Sequence, residues 1–178
     1  KVAHHPNVVR FIGAAFKDGS IAMVLALCSG GSLLSALEKK KLDAAAKTRI
    51  LRETASALSF LHSLGIVHRD IAARNVLLDG HGVAKLADLG MSRVLEDKQG
   101  EQTTANNVGP IRWMAPEAIR SKKYSAASDC FSFAILMVEV WSDGEVPYAH
   151  IASLVDVAMA VLNNNERPRI PEDTPLEH

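Results

Sequence analysis

His68-Arg69-Asp70-Ile71-Ala72-Ala73-Arg74-Asn75 is the stretch on which the reading of this chain turns. It packs a carboxylate, an amide oxygen and a guanidinium into one short segment. Transfer of a phosphoryl group asks a protein for these three things: an acceptor for the attacking hydroxyl's proton, an oxygen to hold a metal, and positive charge near the migrating phosphate. Asp70, Asn75 and Arg74 can supply them in that order. A surface salt-bridge cluster has the same composition, so the tripeptide His68-Arg69-Asp70 does not decide the matter by itself.

The surroundings add to it. Upstream, Asp43 opens a long helix in which Ile50, Leu51, Thr54, Ala55, Leu58 and Leu61 recur at three- and four-residue spacing, and Gly65 closes it. Ser32 caps a shorter helix over Leu33, Leu34 and Leu37. Two strands are predicted before that, Val8 to Ile12 ending at Gly13, and Ile21 to Leu27, the latter so apolar that burial on both faces is expected. Downstream, Asp79-Gly80-His81-Gly82 turns a hairpin into a strand over Val83 to Ala87. Asp88 to Glu117 has no periodicity and reads as a long loop, which inside a compact domain is usually functional or disordered. Helices are predicted at Asp129 to Trp141 and Ile151 to Leu162, followed by an extended linker over Arg167 to Pro171.

Composition narrows the class. Lys plus Arg and Asp plus Glu are each 20, so the chain has no basic excess with which to hold nucleic acid. Cys28 and Cys130 lie far apart, without metal-type spacing, and read as reduced thiols of an intracellular protein. The start of the chain is polar and interrupted by Pro6, unlike a signal peptide. The most apolar run, Phe131 to Trp141, is broken by Ser132 and Glu139 and is far shorter than the roughly 20 residues of a membrane span. A buried helix is the reading; membrane attachment elsewhere in the protein stays open.

Three motifs in order identify a resemblance. Residues 68–75 resemble the catalytic loop of eukaryotic protein kinases, H-R-D-x-x-x-x-N. Asp88-Leu89-Gly90 is similar to the D-F-G motif and Ala115-Pro116-Glu117 to A-P-E. The resemblance runs the length of the chain and implies an α+β, protein-kinase-like fold. Most of it would be the helical C-terminal lobe, with two strands and the hinge of the N-terminal lobe. Residues 1–27 correspond to the end of the small lobe, 25–31 to the hinge region, and 32–178 to a large lobe cut before its last helices. The Gly-rich loop and the phosphate-binding strand Lys are expected upstream of Lys1.

The roles that follow are those the resemblance implies. Asp70 accepts the substrate hydroxyl's proton and Arg74 balances charge on the transferred phosphate. Asn75 and Asp88 hold Mg²⁺ (or Mn²⁺) against the phosphates of ATP. Leu25, Ala26, Leu27 and Cys28 form the adenine-binding hinge, with Leu77 beneath the base. Asp129 holds the catalytic loop's backbone, and His68, Leu89 and Phe11 belong to an apolar spine. Pro110, Ile111, Arg112 and Trp113 dock the protein substrate. Arg69 and Arg93 are placed to clasp a phosphate on Thr103 or Thr104. Ala72, Arg74 and Pro110 resemble tyrosine kinases, whereas Val108-Gly109 is closer to the Ser/Thr pattern; the reading leans slightly to tyrosine, with Ser/Thr or dual specificity as the alternative. A pseudokinase that binds partners without turnover is the remaining alternative, opposed by the presence of Asp70, Asn75 and Asp88.

Overall fold

Capping side chains decide where the helices begin. The computed structural model describes residues 4–17, 20–89, 93–94, 111–172 and 174. The Ser32 hydroxyl accepts the Ser35 N–H and opens α1 (Leu33–Glu38). The Asp43 carboxylate accepts the Ala46 N–H at 2.7 Å and opens α2 (Ala44–Ser63). Each satisfies an N–H that a helix start otherwise leaves without a partner. Gly65, at φ 72°, takes the chain out of α2 in the left-handed conformation that favours glycine. Pro116 begins α3 (Pro116–Ser121). Ser125 and Ser128 cap each other reciprocally at the head of α4 (Ala126–Trp141), and Ser153 caps α5 (Leu154–Asn163).

These caps correct three sequence expectations. α4 begins at Ala126 rather than Asp129, because the serine pair starts it before the apolar periodicity is visible. α5 begins at Leu154 rather than Ile151, after its Ser153 cap. α3 lies at the edge of the stretch read as loop; six residues are too few to display a helical repeat.

Among the described residues, seven short strands complete the order. β1 (Phe11–Lys17) and β2 (Ser20–Leu25) form an antiparallel ribbon. β3 (Gly31–Ser32) pairs with β5 (Val76–Leu78), which pairs with β6 (Ala84–Leu86). β4 (Ile66–Val67) pairs with β7 (Arg93–Val94). The first strand does not end at Gly13 but runs through it, with a register shift between Phe11 and Gly13. Nothing approaches within 4 Å of a Cβ built there, so no contact forces a turn. Val8 and Val9, expected in that strand, instead lie along β6: Val9 N–H donates to Leu86 O at 2.9 Å, and Leu86 N–H to Asn7 O at 2.7 Å. The Asn7 amide adds a bond to Ala84 O.

The expectation that the second strand is buried on both faces is also overturned. Ile21 and Met23 are each 68% exposed. Apolar composition records what a strand is able to bury, and a lone partner strand covers its edge but not its faces.

The core lies in the helical part. Ile50, Leu51, Leu58 and Leu61 of α2 pack with Leu33 and Leu37 of α1, Val76 and Leu86 of the β5–β6 hairpin, and Leu136 and Val140 of α4. α4 is thus the buried helix its composition suggested, and it carries Ser128, Asp129, Ser132 and Glu139 inward with its apolar residues. Among the described residues no helix is long and apolar enough to cross a membrane.

Candidate active site

The segment between β4 and β5 is pinned to α4 by carboxylates. Asp129, 1% exposed, accepts the His68 N–H on Oδ2 and the Arg69 N–H on Oδ1, each at 2.8 Å. His62 Nε2 sits 2.9 Å from the same Oδ2. The bonds fall on a strained point, since Arg69 adopts φ 72°. A non-glycine residue stays in that region only where its surroundings fix it.

Asp70 follows, with each carboxylate oxygen assigned a partner. Oδ1 receives the Arg74 guanidinium and Oδ2 the Asn75 amide N–H at 2.7 Å. The same amide nitrogen donates to Asp70 O at 2.8 Å. Asn75 therefore spends its donors on Asp70, and its carbonyl oxygen is the atom left to hold a cation. Asn75 ends the single helical turn Ala73–Asn75 that brings Arg74 and Asn75 back over Asp70. Arg74 also lies over the Trp113 ring, 4.8 Å from its centroid.

His68 connects this cluster to Asp88. Fully buried, it accepts the Asp70 N–H on Nδ1 at 3.3 Å, and its Nε2 lies 2.9 Å from Ala87 O. A neutral ring with its proton on Nε2 satisfies both contacts. Burial pushes its pKa down, against the Ala87 carbonyl and nearby carboxylates that pull it up. Ala87 N–H donates to Asn75 O at 2.9 Å, so the residue before Asp88 is tied to Asn75. Asp88 itself is exposed at φ 59°. The apolar spine is not closed: His68 is buried, but Leu89 and Phe11 are 42% and 39% exposed. Phe11 belongs to the uncovered ribbon, and Leu89 precedes residues outside the described set.

Glu139 is the functional neighbour that sequence reasoning missed. Its buried Oε2 accepts both the Ala73 N–H and the Trp113 indole N–H, each at 2.9 Å. Burial raises its pKa, opposed by those two bonds and by the Arg74 charge. The available signal is an acid inside an otherwise apolar helix. His62, at the end of α2, meets Asp129 as well.

Of the docking residues, Pro110 lies outside the described set. Arg112 directs its guanidinium inward to the carbonyls of Pro147, Tyr148, Ile151 and Ala152. Trp113 buries its ring, and its carbonyl accepts the Ser132 hydroxyl at 2.7 Å. Both polar groups thus support the segment from behind, while Ile111 packs near Tyr124 and Phe131.

The hinge residues lie where β2 returns toward the helical part. Ala26 N–H pairs with Arg10 O at 2.8 Å, and Gly31 N–H with Cys28 O at 3.2 Å. Leu25 and Leu27 are open to solvent, Ala26, Cys28 and Leu77 half-buried. Burial, and then Asp79, raises the Cys28 thiol pKa. Gly30 admits no side chain, because a Cβ there would stand 2.8 Å from Leu78 Cβ and Leu78 O. A cavity of ≈ 420 Å³ behind residues 26–28 is lined also by His4 to Pro6, Val8 to Arg10, Asp79 and Lys85. It includes none of Asp70, Asn75 or Asp88 and is separate from the catalytic cluster.

Of the regulatory residues, Thr103 and Thr104 lie outside the described set. Arg69 stacks on Tyr124, 4.8 Å from the ring centroid. β7 sets Arg93 opposite Val67, two residues before Arg69.

Known proteins of similar sequence are kinases. The family model for protein tyrosine and serine/threonine kinases matches residues 1–178. Fer-related kinase 1 of Caenorhabditis elegans is 36% identical over 170 residues, which are 96% of this chain and 43% of that protein. Ephrin type-A receptor 5 of Gallus gallus is 40% identical over 174 residues, 96% of this chain and 17% of that protein. Serine/threonine-protein kinase STY17 of Arabidopsis thaliana is 36% identical over 172 residues, 96% of this chain and 29% of that protein. The chain spans less than half the length of each of these relatives. With a family model matched from end to end and the catalytic-loop residues gathered on α4, the chain belongs to the protein tyrosine and serine/threonine kinase family.

Proposed function

We propose that the protein carrying this chain transfers the γ-phosphate of ATP to hydroxyls of protein substrates, with Asp70 as the group that orients the acceptor and takes its proton. The observation that carries this reading is the grip on Asp70. Its two oxygens are held by Arg74 and Asn75, and the two residues before it by Asp129. A general base needs its position fixed before its basicity matters.

The residues present suit a magnesium nucleotide. Among the described residues, no three His, Cys, Asp or Glu side chains gather as a metal cage. Mg²⁺ at phosphates does not need one, since it takes one or two protein oxygens and completes its shell with phosphate and water. The Asn75 carbonyl oxygen and the Asp88 carboxylate are the donors offered, and when bound the metal neutralises charge on the phosphates. Mn²⁺ fits the same oxygens. At the hinge, the Ala26 carbonyl and the Cys28 N–H are the backbone groups available to an adenine edge, with Leu77 half-buried in β5 below. Nothing in the balanced charge of the chain favours nucleic acid.

For the acceptor, a lean to tyrosine is supported by Ala72 and Arg74. Ala72 is sealed against Trp113 and Ile135. The positive charge comes from Arg74, which lies over the Trp113 ring. Ser/Thr acceptance is the second reading, favoured by similarity to a relative named as a serine/threonine-protein kinase. Incubating the full-length protein with Mg-ATP and a degenerate peptide library, then identifying the phosphorylated residue, separates the two. Asp70→Asn in the same protein should lower kcat by about 10²–10⁴-fold with ATP binding retained. Wild-type turnover by that variant would refute the role of Asp70.

A further inference from the structure

We propose that the cavity behind residues 26–28 is a docking site for an acidic segment of a partner protein, with a carboxylate of that segment on Arg10 and its apolar side chains against Val8, Val9 and Leu27. The site stands apart from the phosphotransfer reading above, because it shares no residue with the catalytic cluster.

Its shape comes from two passes of the chain. Residues 8–10 and residues 26–28 form walls of the cavity of ≈ 420 Å³, and the Ala26 N–H on Arg10 O joins them. Leu77, below the adenine position, does not line it, so the cavity is not part of the nucleotide cleft. The walls are apolar at Pro6, Val8, Val9 and Leu27 and charged at Arg10, Asp79 and Lys85. Leu27 is 88% exposed, so the cavity opens to solvent at its rim. A small ligand is held by enclosing most of its surface. An open site of this kind suits an extended peptide, which lays a few side chains into it and leaves its ends in water.

Charge selects the peptide. Asp79 is occupied within the protein: Oδ1 accepts the His81 and Val83 N–H groups at 2.9 and 3.0 Å, and Oδ2 faces Lys85 Nζ at 3.4 Å. These contacts, the Val83 bond first, hold its pKa down, so it stays ionised beside Lys85. Lys85 also donates to Pro6 O at 2.6 Å. The His5 ring accepts the Asn7 N–H on Nδ1 and stacks on Phe60. Arg10 remains. Its carbonyl accepts the Ala26 N–H, but among the described residues its exposed guanidinium meets no hydrogen-bond, ion-pair or ring partner. Two fixed cations thus face one carboxylate that is already matched. A planar guanidinium offers a carboxylate two parallel N–H···O bonds, and the apolar wall beside it favours an acid with apolar neighbours.

The test uses the full-length protein and an array of fluorescein-labelled hexapeptides in which glutamates flank leucine or valine, each with a lysine-for-glutamate control. Fluorescence anisotropy should show glutamate peptides bound and their lysine controls unbound. Saturating Mg-ATP should leave the affinity within about twofold, since the two sites are separate. Arg10→Glu should weaken binding by about tenfold or more and Arg10→Lys by less, with basal turnover unchanged in both. Bound peptide should also slow alkylation of Cys28, which lines the cavity, and leave Cys130 on α4 unaffected. An array with no glutamate peptide bound, binding that Arg10→Glu leaves unchanged, or displacement by Mg-ATP would overturn the docking site. Displacement by N-acetylglutamate at the peptide's own concentration would assign the cavity to a small acid and overturn the peptide reading. Peptide binding as expected by a protein that transfers no phosphate would support the docking site and refute the proposed function alone.

Discussion

Replacing Asp129 by asparagine changes one atom and should undo much of the catalytic loop. The Asp129 oxygens serve the His68 N–H, the Arg69 N–H and His62 Nε2. Asparagine keeps one oxygen. Whichever way the amide lies, one of the two backbone N–H groups then meets an NH₂ donor. A buried N–H without an acceptor costs about 1–3 kcal/mol, and the surviving bond falls from the about 1.5–3 kcal/mol of a charged acceptor toward about 1 kcal/mol. The sum is about 1.5–5 kcal/mol. With a urea slope of roughly 2 kcal/mol per molar, the unfolding midpoint should fall by about 0.8–2.5 M. Urea unfolding followed by tryptophan fluorescence measures this, provided Asp129→Asn is compared with Asp129→Ala to check that the slope is unchanged. Activity should fall further than stability alone explains, because Arg69 immediately precedes Asp70 and its φ of 72° is held by Asp129. A midpoint within about 0.3 M of wild type, with full activity, would refute the claim that this carboxylate holds the loop.

Other outcomes follow from the same geometry. Burial depresses the His68 pKa, so as pH falls the unfolded chain takes up a proton before the folded one does. The stability contributed by neutral His68 is complete above about pH 6.5 and declines as pH drops below it. The difference in urea midpoint between wild type and His68→Gln should therefore shrink from pH 7.5 to pH 5.5; a constant difference would contradict the assignment. For regulation, phosphate on Thr103 or Thr104 would bring about −1.5 to −2 charges toward Arg69 and Arg93. Phosphosite mapping of the active protein should find one of these threonines modified, and Thr103→Ala with Thr104→Ala should lower turnover; wild-type turnover with neither site modified would place the switch elsewhere.

What was legible in the sequence follows from the range of the interactions involved. Ser32, Asp43 and Gly65 act on backbone groups a few residues away, and their positions could be read directly. The catalytic loop was legible because Asp70, Arg74 and Asn75 lie within one short segment and close on one another. Glu139 was not, because its partners, Ala73 and Trp113, are 66 and 26 residues away, and a single acid in an apolar helix does not name them. The exposed faces of β2 failed for the opposite reason. Burial of a strand face depends on what lies across from it, and no property of Ile21 or Met23 reports that. Arg112 was assigned to substrate docking by its place in the motif, yet its donors are taken by four carbonyls brought near only by the fold.

The stitching of residues 7–9 and 30–32 to the β5–β6 hairpin has a mechanical consequence. The chain passes between ribbon and helices twice, once on the way out through Asn7 and Val9 and once on the way back through Gly30 and Gly31. The outward pass is fastened to β6 at Ala84 and Leu86, and the return pass to β5 at Leu78. The ribbon is therefore fastened to the helical part at two neighbouring strands rather than one, so sliding it across that part would break hydrogen bonds on both. Gly30 is the tightest point of the return pass, since a Cβ there would stand 2.8 Å from Leu78 Cβ and Leu78 O.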